Sequence, residues 1–268
     1  MKKIIAFIGL LAIILSVFAL PSFAAGGTLS VRVEGPTENL YYNDNMVIDI
    51  DYRTTLYEIL YSLDASGKVD FTGIEYGYIA AVNGFAGAQT ELGWDGYSVR
   101  LNGKYIGWDD LRTTRINDGD EILVYYSDEF GQGIVFPVVK DDDIESGKLR
   151  FITETPVANK PNSYMIEPIV GATVRWYIDE DYVDFKTSSS GEVLIDRGFL
   201  SSGAHRIEII QNNENGTPAV LRLAPNYTIN VPTAVGDSPL LYILIALMAA
   251  SAIGFVSLVL VGRKSRRS

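Results

Sequence analysis

The sequence predicts an α+β domain, then an all-β sandwich domain, and a single transmembrane helix near the end of the chain. Three observations lead to this fold class. The first half mixes alternating strand patterns with one helical repeat, the second half shows strand patterns alone, and residues 240–262 form an apolar run without charges. At about 1.5 Å of rise per residue, a helix of that length crosses a hydrocarbon core of about 30 Å.

Both ends of the chain carry targeting patterns. Two lysines, an apolar run and a group of small residues make up residues 1–24, the pattern typical of a secretory signal peptide. A basic tail, residues 263–268, follows the apolar run and is expected to stay in the cytoplasm. The ends therefore predict an exported protein on the extracellular face of the cell membrane, spanning it once with its C-terminus inside.

A short polar segment, Asn230–Ala234, precedes the apolar run and resembles the sorting signal that a sortase uses to join Gram-positive surface proteins to the cell wall. The segment differs from the usual Leu-Pro-x-Thr-Gly pattern because Pro232 directly precedes Thr233 and an alanine replaces the glycine. A permanent membrane anchor and attachment to the wall therefore both stay open.

Charge and composition exclude several classes of function. The net charge is −11, and six of the 22 basic residues lie in the two ends, so the central part is more acidic still. Such a surface repels phosphate backbones, which excludes nucleic acid as a partner. The absence of cysteine excludes disulfides, thiolate metal sites and cysteine catalysis.

The sequence also predicts that the protein is not an enzyme. His205 is the only histidine, so neither a histidine metal cluster nor a second imidazole for proton transfer exists. Nucleophile-elbow, P-loop and dinucleotide-binding motifs are absent from the sequence. A pair of carboxylates acting as a hydrolase is the enzymatic alternative left open, because 33 acidic residues always permit some pair.

The first domain, residues 28–131, begins with two predicted strands, Thr28–Glu34 and Val47–Tyr52, in which apolar and polar residues alternate. A capping box at Thr55–Glu58 then begins an amphipathic helix that Gly67 ends. Two strands followed by one such helix predict a β-grasp-like unit.

Three further strands are predicted in this domain: Tyr76–Val82, Tyr97–Leu101 and Glu121–Tyr126. The pair Asn102-Gly103 follows the second of them and tolerates the positive φ angles of a tight hairpin turn. It is the clearest hairpin signal in the chain.

A glycine-rich and acidic segment, residues 132–147, predicts a linker to the second domain, residues 148–231. Three runs of this domain, Pro168–Val174, Thr187–Val193 and Ser202–Ile207, resemble the prealbumin-like or immunoglobulin-like modules of bacterial surface proteins, which usually act as spacers. Five strands are predicted there: 149–152, 172–178, 192–195, 206–210 and 219–223. The acidic runs Asp141–Asp143 and Asp179–Asp181, the second together with Asp184, offer oxygen ligands for calcium, but neither matches a calcium loop, and solvated turns are favoured.

Three motifs of the first domain, Gly77–Gly84, Gly93–Tyr105 and Ile116–Tyr126, resemble in order and spacing the transcobalamin C-terminal-like domain. This resemblance covers roughly residues 28 to 130. It implies a β-grasp fold and a module that covers one face of cobalamin in the animal carriers. Those carriers grip the other face with a large helical domain, which is lacking here, so the small domain, a dimer or a separate partner would hold the ligand.

The resemblance implies a ligand-binding face of aromatic and amide side chains, since planar rings and amides suit a corrin-like ligand. The candidate residues are Tyr78, Asn83, Phe85, Trp94, Tyr97 and, more weakly, Trp108. A core position is the alternative for Tyr97, which alternates with Val99 and Leu101, whereas the glycine-rich surroundings of Trp94 favour a surface position.

The function predicted from these observations is binding of cobalamin or a related corrinoid at the cell surface for uptake, with a membrane importer as partner. No covalently bound cofactor and no metal are expected. The alternative is a structural or adhesive surface module that contacts a protein or a wall polymer and binds no small molecule.

Overall fold

A computed structural model of the chain describes residues 26–232, except 52, 91–92, 129–132, 159 and 161–162. The chain divides into two compact units. The first unit extends to Ile134 and includes Asn213–Pro218, and the second comprises Val135–Asn212 and continues from Ala219.

The fold class differs from the prediction. Strands make up 49% of the residues that the structure describes, and these residues contain one α-helix, so this part of the chain is mainly β and the predicted α+β class is wrong. No helix in the described residues is long and apolar enough to cross a membrane. The described residues therefore do not contain the predicted transmembrane helix, on which the predicted membrane localisation depended. The predicted signal peptide, the apolar run 240–262 and the basic tail lie outside the described residues.

The first unit contains helix α1 (Leu56–Ala65) and strands β1 to β9. The strands are β1 (Gly26–Glu34), β2 (Asn39–Asp49), β3 (Phe71–Thr72), β4 (Ala81–Val82), β5 (Phe85–Ala86), β6 (Ala88–Thr90), β7 (Gly93–Leu101), β8 (Lys104–Ile106) and β9 (Glu121–Ser127). Short 3₁₀ turns lie at Ile74–Tyr76 and Trp108–Asp110.

The larger sheet of this unit has the order β2-β1-β9-β7-β6, with β8 also paired to β7. Strand β1 is antiparallel to β2 and parallel to β9, with Ser30 opposite Glu121. A second sheet has the order β3-β4-β5. The predicted hairpin at Asn102-Gly103 is confirmed, because Leu101 pairs with Lys104 across that turn.

Helix α1 begins where the sequence predicts. The Thr55 side chain accepts a hydrogen bond from the Glu58 amide (3.3 Å), and the Glu58 carboxylate accepts one from the Thr55 amide (2.8 Å), which completes the capping box. One face of the helix is buried in the core of the first unit through Leu56, Ile59, Leu60 and Leu63. The apolar repeat therefore determines which side of the helix is buried.

The second unit contains two sheets of four strands each. The strands are β10 (Val138–Lys140), β11 (Lys148–Pro156), β12 (Tyr164–Pro168), β13 (Thr173–Ile178), β14 (Asp181–Lys186), β15 (Glu192–Leu194), β16 (Gly203–Ile210) and β17 (Thr228–Val231). One sheet has the order β10-β11-β12 with β15 also on β11, and the other has the order β14-β13-β16-β17.

Both sheets of the second unit contribute to one core, in which Trp176 is completely buried. The Trp176 indole donates a hydrogen bond to the Phe199 carbonyl (3.2 Å), and its ring stacks on His205 with centroids 4.6 Å apart. The His205 Nε2 lies 2.7 Å from the Ser201 carbonyl oxygen. The single histidine is therefore part of the packing of this core.

Several predicted strand boundaries are wrong. The predicted strand Tyr76–Val82 contains only the short β4, because Gly73 and Gly77 adopt φ angles of 93° and 94° and form a turn. In the second unit, residues 219–223 form no strand, whereas β17 was not predicted. The predicted linker 132–147 contains β10. Asn230 and Val231 of the sorting-signal candidate belong to β17, where Val231 is buried.

Replacing Thr55 with alanine tests the capping box. The Thr55→Ala change removes the side chain that accepts from the Glu58 amide, and we expect it to lower the free energy of unfolding by about 1 kcal/mol. Urea denaturation measures the change, with exposed Thr37 replaced by alanine as the matched control. Equal effects of the two changes would show that the capping box adds no stability.

Candidate functional site

The six residues predicted to bind a ligand separate into an exposed group and a structural group. Tyr78, Phe85 and Trp94 are exposed by 44%, 40% and 51%. Because large aromatic side chains gain free energy from burial, we take the three that are exposed within one short stretch of sequence as a candidate binding surface. We call these three side chains the aromatic surface.

Phe85 follows a tight hairpin turn. Asn83 and Gly84 form the turn with φ angles of 47° and 82°, and Val82 pairs with Phe85 across it. The Asn83 side-chain oxygen accepts a hydrogen bond from the Asp70 amide (2.9 Å), and the Asn83 amide donates to the Asp70 carbonyl (2.9 Å). Asn83 therefore holds the hairpin in place, and its amide oxygen is used by the backbone.

Tyr78 lies over a glycine that leaves room for its ring. A Cβ atom at Gly73 would be 3.0 Å from the Tyr78 ring, and the φ angle of 93° at this position also favours glycine. The neighbouring Tyr76 ring is 74% exposed and stacks near Tyr78 with centroids 6.3 Å apart. Tyr76 was not predicted, although the spacing of two tyrosines around a glycine was visible in the sequence.

Trp94 lies near the beginning of β7 and pairs with Gln89 of β6. The segments that carry Trp94 and Phe85 touch, because a Cβ atom at Gly87 would be 2.6 Å from the Asp95 carbonyl oxygen. The backbone contact at Gly87 therefore links the strand of Trp94 to the hairpin of Phe85.

The alternative core position is the correct one for Tyr97. This side chain is 1% exposed, and its ring meets Tyr126 edge-on with centroids 5.2 Å apart. Burial raises the pKa of the Tyr97 hydroxyl. Trp108 is half-buried at the start of a 3₁₀ turn and packs against the core of the first unit. Neither Tyr97 nor Trp108 therefore extends the aromatic surface.

Two surface clefts of the described residues lie elsewhere. One of about 400 Å³ lies beside the start of α1, near Arg53 and Glu58, and one of about 330 Å³ lies on the second unit, near Lys140 and Arg150. Residues of the aromatic surface line neither cleft.

Acidic residues that were considered for calcium lie in a turn or form an ion pair with an arginine. Asp179 has a φ of 55° in the turn between β13 and β14, and the carboxylate of Asp184 accepts two hydrogen bonds from Arg175 (2.9 and 3.1 Å). These hydrogen bonds lower the pKa of Asp184. In the described part of the chain, no group of three or more His, Asp or Glu side chains is arranged to hold a metal ion.

Comparisons with known proteins add no relative. No family model, no curated protein and no solved structure matches this chain.

The Tyr97 hydroxyl offers a test of its core position. Among the described residues it has no hydrogen-bond partner although it is buried. Because an unsatisfied buried hydroxyl costs free energy, we expect Tyr97→Phe to raise the free energy of unfolding by about 1 kcal/mol. Thermal and urea denaturation measure the change, and Tyr105→Phe, at a residue 50% exposed, is the control. A clear loss of stability in Tyr97→Phe would reveal a hydrogen bond at this hydroxyl.

Proposed function

We propose that this chain is a binding protein that captures a planar, amide-rimmed ligand, with cobalamin or a related corrinoid as the leading candidate, through the aromatic surface. The observation that carries the proposal is the exposure of Tyr78, Phe85 and Trp94 by 40% or more. The motif resemblance supplies the ligand class. The protein would hold the ligand without chemical change and release it to a separate acceptor such as an importer.

The exposed rings suit such a ligand for physical reasons. An aromatic side chain presents a large apolar area with few rotatable bonds, so binding orders it at little cost in conformational entropy. Nearby contacts hold the backbone of this segment in place. The Asn83 side chain accepts a hydrogen bond from the Asp70 amide, and Gly87 packs against β7. Support of this kind reduces the free energy lost when a ligand orders its binding surface.

Charge supports the same ligand class. The chain carries 33 acidic and 22 basic residues, and the resulting negative field disfavours anionic ligands while tolerating neutral or cationic ones. A corrinoid with neutral amide groups on its rim meets this condition.

Calorimetric titration of the full-length chain with cobalamin and with cobinamide tests the proposal. We expect saturable binding, and we expect Trp94→Ala to weaken it at least tenfold, because a lost ring contact of 1.4 kcal/mol corresponds to that factor. Phe85→Ala should weaken binding in the same direction.

The matched control for this titration is Tyr105→Ala. Tyr105 is 50% exposed and pairs with Arg100, which lies six residues from Trp94 along β7 and so about 20 Å away. We expect this variant to bind like the wild type. Absence of heat with folded wild-type protein, or equal weakening in all three variants, would contradict a corrinoid site at the aromatic surface.

A structural or adhesive function is the second candidate, and strand β12 favours it. Tyr164, Met165 and Ile166 are exposed by 50% to 55%, and β12 is the last strand of its sheet. An exposed apolar edge strand can accept a strand from another protein.

A charge placed on β12 distinguishes the two functions. We expect Ile166→Lys to leave ligand binding at the aromatic surface unchanged, because the two lie in different units. If the protein is adhesive, the same change should reduce its retention on immobilised wall polymer or partner protein, measured by surface plasmon resonance. Retention that is unaffected by the lysine would exclude β12 as the adhesive surface.

A further inference from the structure

Two aspartates lie side by side at one end of the larger sheet of the first unit. The ladder between β7 and β9 ends with Gly96 opposite Ser127. Asp95 precedes that glycine and Asp128 follows that serine, so the two aspartates occupy the next position beyond the last pair. Side chains at directly opposed positions of antiparallel strands lie within about 5 Å at their Cβ atoms, which places the two carboxyl groups within reach of each other.

Both carboxyl groups are buried and incompletely bonded. Asp95 is 5% exposed and Asp128 is 9% exposed. Among the described residues, the Oδ1 atom of each has no hydrogen-bond partner. The Oδ2 atom of Asp128 accepts a hydrogen bond from the Asn213 side chain (2.9 Å). Two ionised carboxylates in this position would leave two charged oxygens buried without donors, which is costly.

Another buried aspartate of the same unit shows how the fold satisfies a carboxylate. Asp120 is 7% exposed, and its two oxygens accept hydrogen bonds from the Asn102 side chain (2.7 Å) and the Asn117 amide (2.7 Å). Each Asp120 oxygen thus has a donor. The pair of Asp95 and Asp128 differs because the Oδ1 atom of each has no hydrogen-bond donor among the described residues.

Among the described residues, no positively charged group is found to act on Asp95. Tyr97 on β7 and Tyr126 on β9 share its face of the sheet, two residues along each strand, and the nearby turn contributes the neutral Asn213. Burial, and then repulsion from Asp128, raise the pKa of Asp95. Burial, and then Asp95, raise the pKa of Tyr126. The charge that acts on Asp95 is therefore negative.

We propose that Asp95 and Asp128 share one proton between their Oδ1 atoms, so that this end of the sheet is stabilised by a carboxyl–carboxylate hydrogen bond and destabilised when that proton is lost. One proton supplies the missing donor to both Oδ1 atoms and reduces the charge of the pair from −2 to −1. Sharing a proton between adjacent carboxyl groups is the usual result of placing two of them in one site. The inference stands whether or not the aromatic surface binds a ligand.

The pH dependence of stability has an unusual sign for a carboxyl group. A proton bound more tightly in the folded state than in the unfolded state stabilises the fold as pH falls through the folded pKa towards the unfolded value of about 3.9. Above the folded pKa this stabilisation is lost. Most paired aspartates show the reverse, because their folded pKa is lowered.

Chemical denaturation of the full-length chain with Asp95→Asn tests the inference. The measurements run from about pH 4, near the unfolded pKa of an aspartate, to about pH 8. The asparagine side chain keeps the shape and donates to Asp128 without a titrating proton. We expect the ratio of folding equilibrium constants, variant over wild type, to rise from low to high pH. The total rise should be tenfold for each unit by which the folded pKa of Asp95 exceeds its unfolded pKa. Asp70→Asn, at an exposed position, is the control, and its ratio should stay constant.

Infrared spectroscopy gives a readout that does not depend on unfolding. We expect the absorption of a protonated carboxyl group to persist to higher pH in the wild type than in Asp95→Asn. A constant stability ratio together with identical infrared titrations would overturn the inference. Stabilisation of the wild type by calcium chloride at neutral pH, absent in Asp95→Asn, would overturn it in favour of a bound cation.

Discussion

The parallel pairing of β1 with β9 is the contact on which the first unit depends. It joins the beginning and end of that unit, with Ser30 opposite Glu121. The turn before β9 extends the pairing, since the Gly119 amide donates to the Thr28 carbonyl (2.8 Å) and the Asp118 carboxylate accepts from the Thr28 amide (2.7 Å). Closing the long loop between β1 and β9 costs conformational entropy before any contact is gained. The burial of residues between these two strands must offset this cost.

The segment between β2 and β9 contains buried side chains that offset this entropy cost, and it also contains exposed side chains. Helix α1 buries one face, and Tyr97 fills the core against Tyr126. Between the helix and β7 the chain forms turns and short strands, and here Tyr78 and Phe85 face solvent, as Trp94 does near the beginning of β7. Within the segment between β2 and β9, the residues that stabilise the unit are therefore different from the exposed aromatic residues.

The two units treat buried polar groups in different ways. In the second unit the Trp176 indole has a carbonyl acceptor and the single histidine packs against it. In the first unit both Asp120 oxygens have donors, whereas the Oδ1 atoms of Asp95 and Asp128 have none among the described residues. Since a buried group without a partner lowers stability, we expect the stability of the first unit to depend on pH at this pair.

Local signals of the sequence were sufficient where the structure they specify is itself local. The capping box at Thr55 places the start of α1, and Asn102-Gly103 places a hairpin, because each acts through hydrogen bonds or φ angles of adjacent residues. The strand expected at Tyr76–Val82 was wrong because of another local feature, since Gly77 has a positive φ angle and interrupts it. The α+β class failed because one helix was given the weight of a whole layer, while strands predominate.

Only the tertiary structure decided which aromatic residues face solvent and which carboxylates meet. The residue types and the alternation around Tyr97 permitted a core or a binding position, and burial against Tyr126 settled it. Asp95 and Asp128 are distant in sequence and become neighbours through strand pairing alone. The sequence by itself determined charge, turns and the helix start, because these depend on single residues and their immediate neighbours. Exposure and cross-strand contacts depend on segments far apart in the chain, so the fold had to decide them.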